Sequence, residues 1–206
     1  MAGDTTSTVY IIGSSGGVYK DDVKIMDGYG GALGIAAYGS DVYVVGGSGG
    51  VYKNDVKIMD GYGGAVGIAV SGADVYVLGG SGGVYKNDAK IFTGYGGARG
   101  IAASGSGVYV LGESGGVYKN DAKVMEGYGG ARGIAVSGSD VYVLGESGGV
   151  YKNDVKIYTG YGDALGIAAA GADVFIVGAS GGVYKNDVKV YDGYGGARGI
   201  AAVVVL

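Results

Sequence analysis

The triplet Val-Tyr-Lys recurs at Val18, Val51, Val84, Val117, Val150 and Val183, every 33 residues without insertion or deletion. A fixed period of this size commits a chain to a solenoid, a propeller or an array, because one unit alone cannot bury its apolar face. Away from its variable positions the unit reads GIAxSGxDVYVLGxSGGVYKNDVKIxxGYGGAx.

The apolar spacing inside the unit is that of strands. DVYVLG is a nearly continuous β-branched and aromatic run, as a strand buried on both faces requires. GIAV is a shorter apolar run that closes on a turn. GVYK and VKIY flank Asn-Asp or Asp-Asp, residues that tolerate the positive φ of a tight hairpin turn. No stretch shows the i, i+3, i+4 spacing of a helix. Each unit therefore predicts four short antiparallel strands, A (GIAV), B (VYVLG), C (GVYK) and D (VKIY).

Six such units predict an all-β fold, a six-bladed β-propeller of six 33-residue four-stranded repeats, since radial repetition leaves only short edges exposed. The first copy begins at strand B, Ser7 to Gly13, and the last ends on a strand A, Gly199 to Leu206. The ring is expected to close by pairing of the C-terminal strand A with the N-terminal strands B to D. An open solenoid would instead want polar caps, and VVVL is a poor cap. One domain is expected over residues 1–206. Blade 1 combines 197–206 with 7–27, and blades 2 to 6 cover 31–60, 64–93, 97–126, 130–159 and 163–192.

The blade text GIAVSGSDVYVLGESGGVYKNDVKIY, Gly133 to Tyr158, resembles the NHL-type six-bladed propellers and their gluconolactonase-like relatives. The likeness lies in its Gly-Ile-Ala-Val inner strand and Val-Tyr-Val second strand, and it extends over nearly the whole chain. The acidic residue, Asn and Arg that the family often places between its second and third strands are replaced by the short GESGG. The metal-binding His, Asn and acidic residues of the hydrolytic relatives have no matching positions. The resemblance thus implies a fold without implying its chemistry. The close likeness of the six copies fits either a recent amplification or a deliberately built, near-symmetric protein.

Composition narrows the function classes. The chain has no Cys, His, Trp or Pro, but 50 Gly and 20 Tyr, with 48% hydrophobic residues and a net charge of −4. That balance fits neither a collagen nor a disordered linker, and it lacks the basic face of a nucleic-acid binder. No run approaches the ~18 apolar residues of a membrane span, and no signal peptide is seen. A soluble monomer is expected, its compartment unread. Without His or Cys, and with its acids mostly in turns, the chain shows no nucleophile–base pair or metal cluster, so neither enzyme nor cofactor is expected.

The repeated GYGG is not a phosphate cradle. It lacks the βαβ setting and distant acidic residue of a dinucleotide site, and no Gly-Lys-Ser/Thr follows it. Its glycines supply positive φ and close approach between blades. Its tyrosines, Tyr29, Tyr62, Tyr95, Tyr128, Tyr161 and Tyr194, lie where strand D of one blade crosses to strand A of the next. Each is either a wedge between blades or a platform on which a sugar ring stacks, the latter making a lectin with one site per blade. The lysines of strands C and D read either as a cationic ring or as guards against edge-to-edge pairing.

Variation among the copies marks the last candidates. The residue before GIA is Leu33, Val66, Arg99, Arg132, Leu165 or Arg198, and the residue 14 positions later is Gly47, Gly80, Glu113, Glu146 or Ala179, with Ser14 meeting Arg198 around the ring. Arginine accompanies glutamate twice. In an A–B hairpin turning near Gly105 or Ser106, Arg99 and Glu113 fall opposite each other within one residue of register. Arg99, Glu113, Arg132 and Glu146 would form a polar arc on the face carrying the D–A and B–C loops. Duplication of one copy explains the same pattern. A carbohydrate or a small anion is the expected ligand of a scaffold or binding propeller.

Overall fold

A computed structural model describes residues 6–205. All its regular elements are strands, arranged as six four-stranded antiparallel sheets. In blade 2, strands A (Gly34–Tyr38), B (Asp41–Val45), C (Val51–Lys53) and D (Val56–Met59) follow one another in sheet order. The protein is a six-bladed β-propeller. Blade 1 is composite: Gly199–Val204 pairs with Ser7–Ile12, from Ser7 opposite Val204 to Ile12 opposite Gly199.

Local chemistry accounts for each turn. At the C–D turn of blade 2, Asn54 and Asp55 adopt φ of 48° and 70°, the two successive positive values of a type I′ hairpin. The Asn54 side-chain oxygen accepts from the Val42 amide at 2.9 Å, and its amide donates to Asp41 at 2.7 Å. The turn is thereby tied to strand B.

The core lies in the gaps between blades. One gap packs Tyr43, Val45 and Val51 of blade 2 against Ile68, Val75 and Val77 of blade 3, with Tyr62 and Ala65 of the connector between them. Five further clusters repeat this arrangement around the ring. Strand B is enclosed on both faces, each Val or Leu contributing about 1.5–3 kcal/mol on burial. Strand D forms the circumference, where Val23, Val56, Val155 and Val188 remain exposed.

The lysines serve this architecture. On strand C, Lys53, Lys86, Lys152 and Lys185 pair with Asp41, Asp74, Asp140 and Asp173 at 2.7–2.8 Å, and each also lies over a strand B aromatic ring. On the edge strand D, Lys24, Lys57, Lys123 and Lys189 pair with the acid three residues on.

Strand A stands innermost, and its first residue must be small. A Cβ on Gly100 would lie 3.3 Å from Ile134 Cγ2 in the next blade, and one on Gly34 would lie 3.3 Å from the Gly67 Cα. These glycines let six strands converge on one axis.

Candidate functional site

Two faces end the channel. The connector face carries the D–A connectors and B–C loops, and the turn face carries the A–B and C–D turns. At the connector face the opening is ≈ 130 Å³, ringed by the Gly-Ile starts of the six strands A, with Leu33, Val66, Arg99 and Arg198 at its rim. At the turn face it widens to ≈ 650 Å³.

The connector tyrosines sit inside the ring. All six are buried, Tyr95 being 7% exposed. The Tyr95 amide donates to the Gly82 carbonyl of the preceding blade at 3.1 Å. Its ring meets Tyr118 of the following blade edge-on, with centroids 5.3 Å apart, and its hydroxyl donates to Asp121 in that blade's C–D turn at 2.6 Å. Tyr29, Tyr62, Tyr128, Tyr161 and Tyr194 make the equivalent bonds to Asp55, Asp88, Asp154, Asp187 and Asp22. Burial, reinforced by the aspartate that accepts the hydroxyl's hydrogen bond, raises every one of these phenol pKa values. The rings are struts between blades, largely enclosed by them. A cleft of ≈ 350 Å³ beside Tyr95, also lined by Glu113, Ser114 and Asp121, reaches that tyrosine and Tyr118.

The rim charges are placed differently from the expected cross-strand pairing. Gly100 pairs with Leu111, and the Arg99 amide donates to the Leu111 carbonyl at 2.8 Å, so the register is within one residue of that expected. Yet among the described residues no ion pair within 4 Å joins Arg99 to Glu113, or Arg132 to Glu146. The glutamates belong to the B–C loops and lie over the connector glycines. A Cβ on Gly97 would meet the Glu113 carboxyl carbon at 2.7 Å, and one on Gly130 would meet that of Glu146 at 2.7 Å.

Arg132 instead reaches into the next blade, where it binds Asp163 at 2.6 Å. Asp163 occupies the position of Gly97 and Gly130 and has φ of 59°, a left-handed conformation that Asp tolerates better than most residues. Its own blade carries Ala179 where the two preceding blades carry glutamate, which leaves the space above residue 163 clear. The carboxylate of blade 6 thus comes from the connector, and those of blades 4 and 5 from the B–C loop. By the same 33-residue relation, the position ahead of Arg99 is Gly130, which Glu146 covers.

The only signal for Asp163 in the sequence is the text GYGDALGIA, where an acid stands in a glycine position. Arg198 has no acid in the corresponding positions of blade 2. Its Nε donates to the Ser14 carbonyl at 3.3 Å, at an exposed site. Around the ring, Arg99 and Arg198 belong to blades 4 and 1, on opposite sides of the mouth, with Leu33 and Val66 between them. No group of three or more potential metal ligands occurs among the described residues.

No family model and no curated protein sequence matches the chain. Solved structures do. A chain of the nidogen/laminin complex superposes with a TM-score of 0.77 at 10% identity, with 96% of this chain and 98% of that one covered. The WD40 propeller of Doa1 gives 0.59 at 12% identity over 90% and 78% of the two chains. The PQQ-bound aldose sugar dehydrogenase of Streptomyces coelicolor gives 0.60 at 14% over 96% and 89%. The computationally designed Ika8 gives 0.54 at 12% over 89% and 70%. At these identities the likeness shows the propeller fold alone.

Proposed function

We propose that this protein is a non-enzymatic binding scaffold of NHL-like type, whose connector face holds an anionic group of a peptide or protein partner. The observation that carries the reading is the placement of Arg99 and Arg198 on opposite sides of the channel mouth, while Asp163 already engages Arg132. Neither Arg99 nor Arg198 has a carboxylate within ion-pair distance among the described residues. A guanidinium presents a planar fork suited to a carboxylate or phosphate. Leu33 and Val66 offer an apolar half-rim to the rest of the partner.

Two neighbours of the same fold are solved with partners: the nidogen/laminin chain, and YCF48 bound to D1 peptide, which superposes with a TM-score of 0.53 at 11% identity. The lectin alternative keeps only the cleft beside Tyr95, because the connector rings themselves are enclosed.

Fluorescence anisotropy with a labelled Asp/Glu-rich peptide tests the reading. Binding should weaken with salt and fall at least about tenfold in the double variant Arg99→Leu/Arg198→Leu, a fold-change worth about 1.4 kcal/mol. Leucine already fills this position in two other blades, so the ring should remain intact. Equal binding by the double variant, or no binding by the parent chain, overturns the proposal.

A further inference from the structure

The turn face offers a second site, independent of the arginines. The chamber of ≈ 650 Å³ is formed by the last residues of the six strands A and, in blades 2 to 6, by the A–B turns that follow them. Its volume lies within the roughly 300–1,000 Å³ of pockets that enclose a small organic molecule. Toward the connector face the channel narrows to the Gly-Ile ring, where the next blade's isoleucine methyl comes within 3.0–3.6 Å of the Cβ position of each of these glycines. A molecule entering from the turn face therefore meets a narrow end.

The lining decides what such a molecule is. Among the described residues no charged side chain contributes to the wall, so an ion placed there would lose hydration without gaining a counter-charge from them. Strand A is the terminal strand of every sheet, and its second edge has no strand partner. Backbone N–H and C=O groups on that edge need hydrogen-bond partners from whatever fills the chamber. Alanine and valine methyls alternate with these polar groups, and serine hydroxyls stand at three of the six strand ends. One of those hydroxyls, Ser71 Oγ, donates to the Gly105 carbonyl of the next blade at 3.0 Å.

The wall is six-fold in plan but not in detail. Five strand ends place Ser71, Ser104, Ser137, Ala170 and Val203 at a position where blade 2 has Tyr38. Tyr38 lines the chamber and is 50% exposed. The recurrent tyrosines lie in the connectors or on strands B and C, whereas Tyr38 ends the strand A of one blade and, among the described residues, packs into no inter-blade cluster. An aromatic face beside a ring of backbone donors and acceptors suits a ligand with one apolar side and several hydroxyls.

We infer that the turn-face chamber binds one neutral saccharide of one or two rings, stacked on Tyr38 and hydrogen-bonded to the inner edges of the strands A. The site is single and axial, unlike a lectin arrangement with one site per blade. It is also separate from the connector-face arginines, so either proposal can fail alone.

Saturation-transfer NMR and calorimetry on the full chain, with maltose, cellobiose, lactose and chitobiose as probes, test it. At least one probe should bind. Amide shifts should then concentrate at Ala37 to Gly39, Ser71 and Ser104. Tyr38→Ser should weaken binding by about tenfold, the scale of one aromatic contact. Serine occupies the equivalent position in three other blades, so the variant should melt as the parent does. Arg99→Leu/Arg198→Leu should bind the saccharide unchanged. The inference is overturned if none of the four probes binds, if the shifts fall on the connectors, or if Tyr38→Ser binds as tightly as the parent.

Discussion

Tyr95 and Arg99 stand four residues apart in one connector and obey different rules. Tyr95 is enclosed by two blades, bonded at its amide to the blade behind and at its hydroxyl to the blade ahead. Arg99 is exposed at the rim. All six connectors carry the tyrosine, whereas the rim position holds Leu, Val or Arg. A side chain that fills a gap of set shape has few substitutes, because a smaller one leaves a cavity and a larger one forces the blades apart. A side chain that ends in water has many.

The sharpest way to break that comparison is Tyr95→Ala. Removing an enclosed aromatic should cost about 3–5 kcal/mol, read as a lower denaturation midpoint at unchanged slope. Arg99→Leu should stay within about 0.5 kcal/mol of the parent. Similar losses from the two substitutions would mean that the strut bears no more of the ring than the rim does.

Alkaline titration probes all six struts together. Each phenol has its pKa raised in the folded ring by burial and by its aspartate partner. The unfolded phenol ionises near about pH 10. The stability due to each strut is therefore fully present below that value and is lost as pH rises from it through the folded pKa. Urea midpoints should hold steady from neutral pH and then fall steeply above about pH 10. Tyr95→Phe should make the fall shallower by removing one of the contributing groups. A flat profile across that range would contradict the enclosed, proton-donating phenol.

The smallest effect is expected at the rim's own ion pair. Arg132 and Asp163 are both exposed, and such pairs contribute about 0–1 kcal/mol. Asp163→Gly also relieves a left-handed aspartate, which offsets the lost pair. Thermal melts of Asp163→Gly should thus lie close to the parent, and a double-mutant cycle with Arg132→Leu should give a coupling below about 1 kcal/mol. A larger coupling would make the rim structural and remove the contrast with the strut.

Much of the ring was legible in the residues. Val-Tyr-Lys at an unbroken spacing, Asn54-Asp55 between two apolar runs, and a strand A at the C-terminal end each predict a feature that the structure contains. The register between Arg99 and Glu113 was also readable to within one residue. The charge partner was not, because Glu113 lies beyond the end of strand B, in a loop whose carboxylate turns over Gly97. The acid in GYGDALGIA gave a usable signal, but its partner lies 31 residues back, across a blade boundary. Tyr38 stands in one copy only, so the repeat pattern gives it no weight.

By itself, then, the sequence determined the period, the strand and turn types, the blade count and the closure. All of these follow from local φ/ψ preference and from which positions must be apolar. The tertiary structure decided which tyrosine faces are enclosed, which arginine meets an acid, and which end of the channel opens. Those outcomes depend on how neighbouring blades splay from a common axis and on where side chains run between them. No single 33-residue unit contains that information, because each site is made by two blades or by all six.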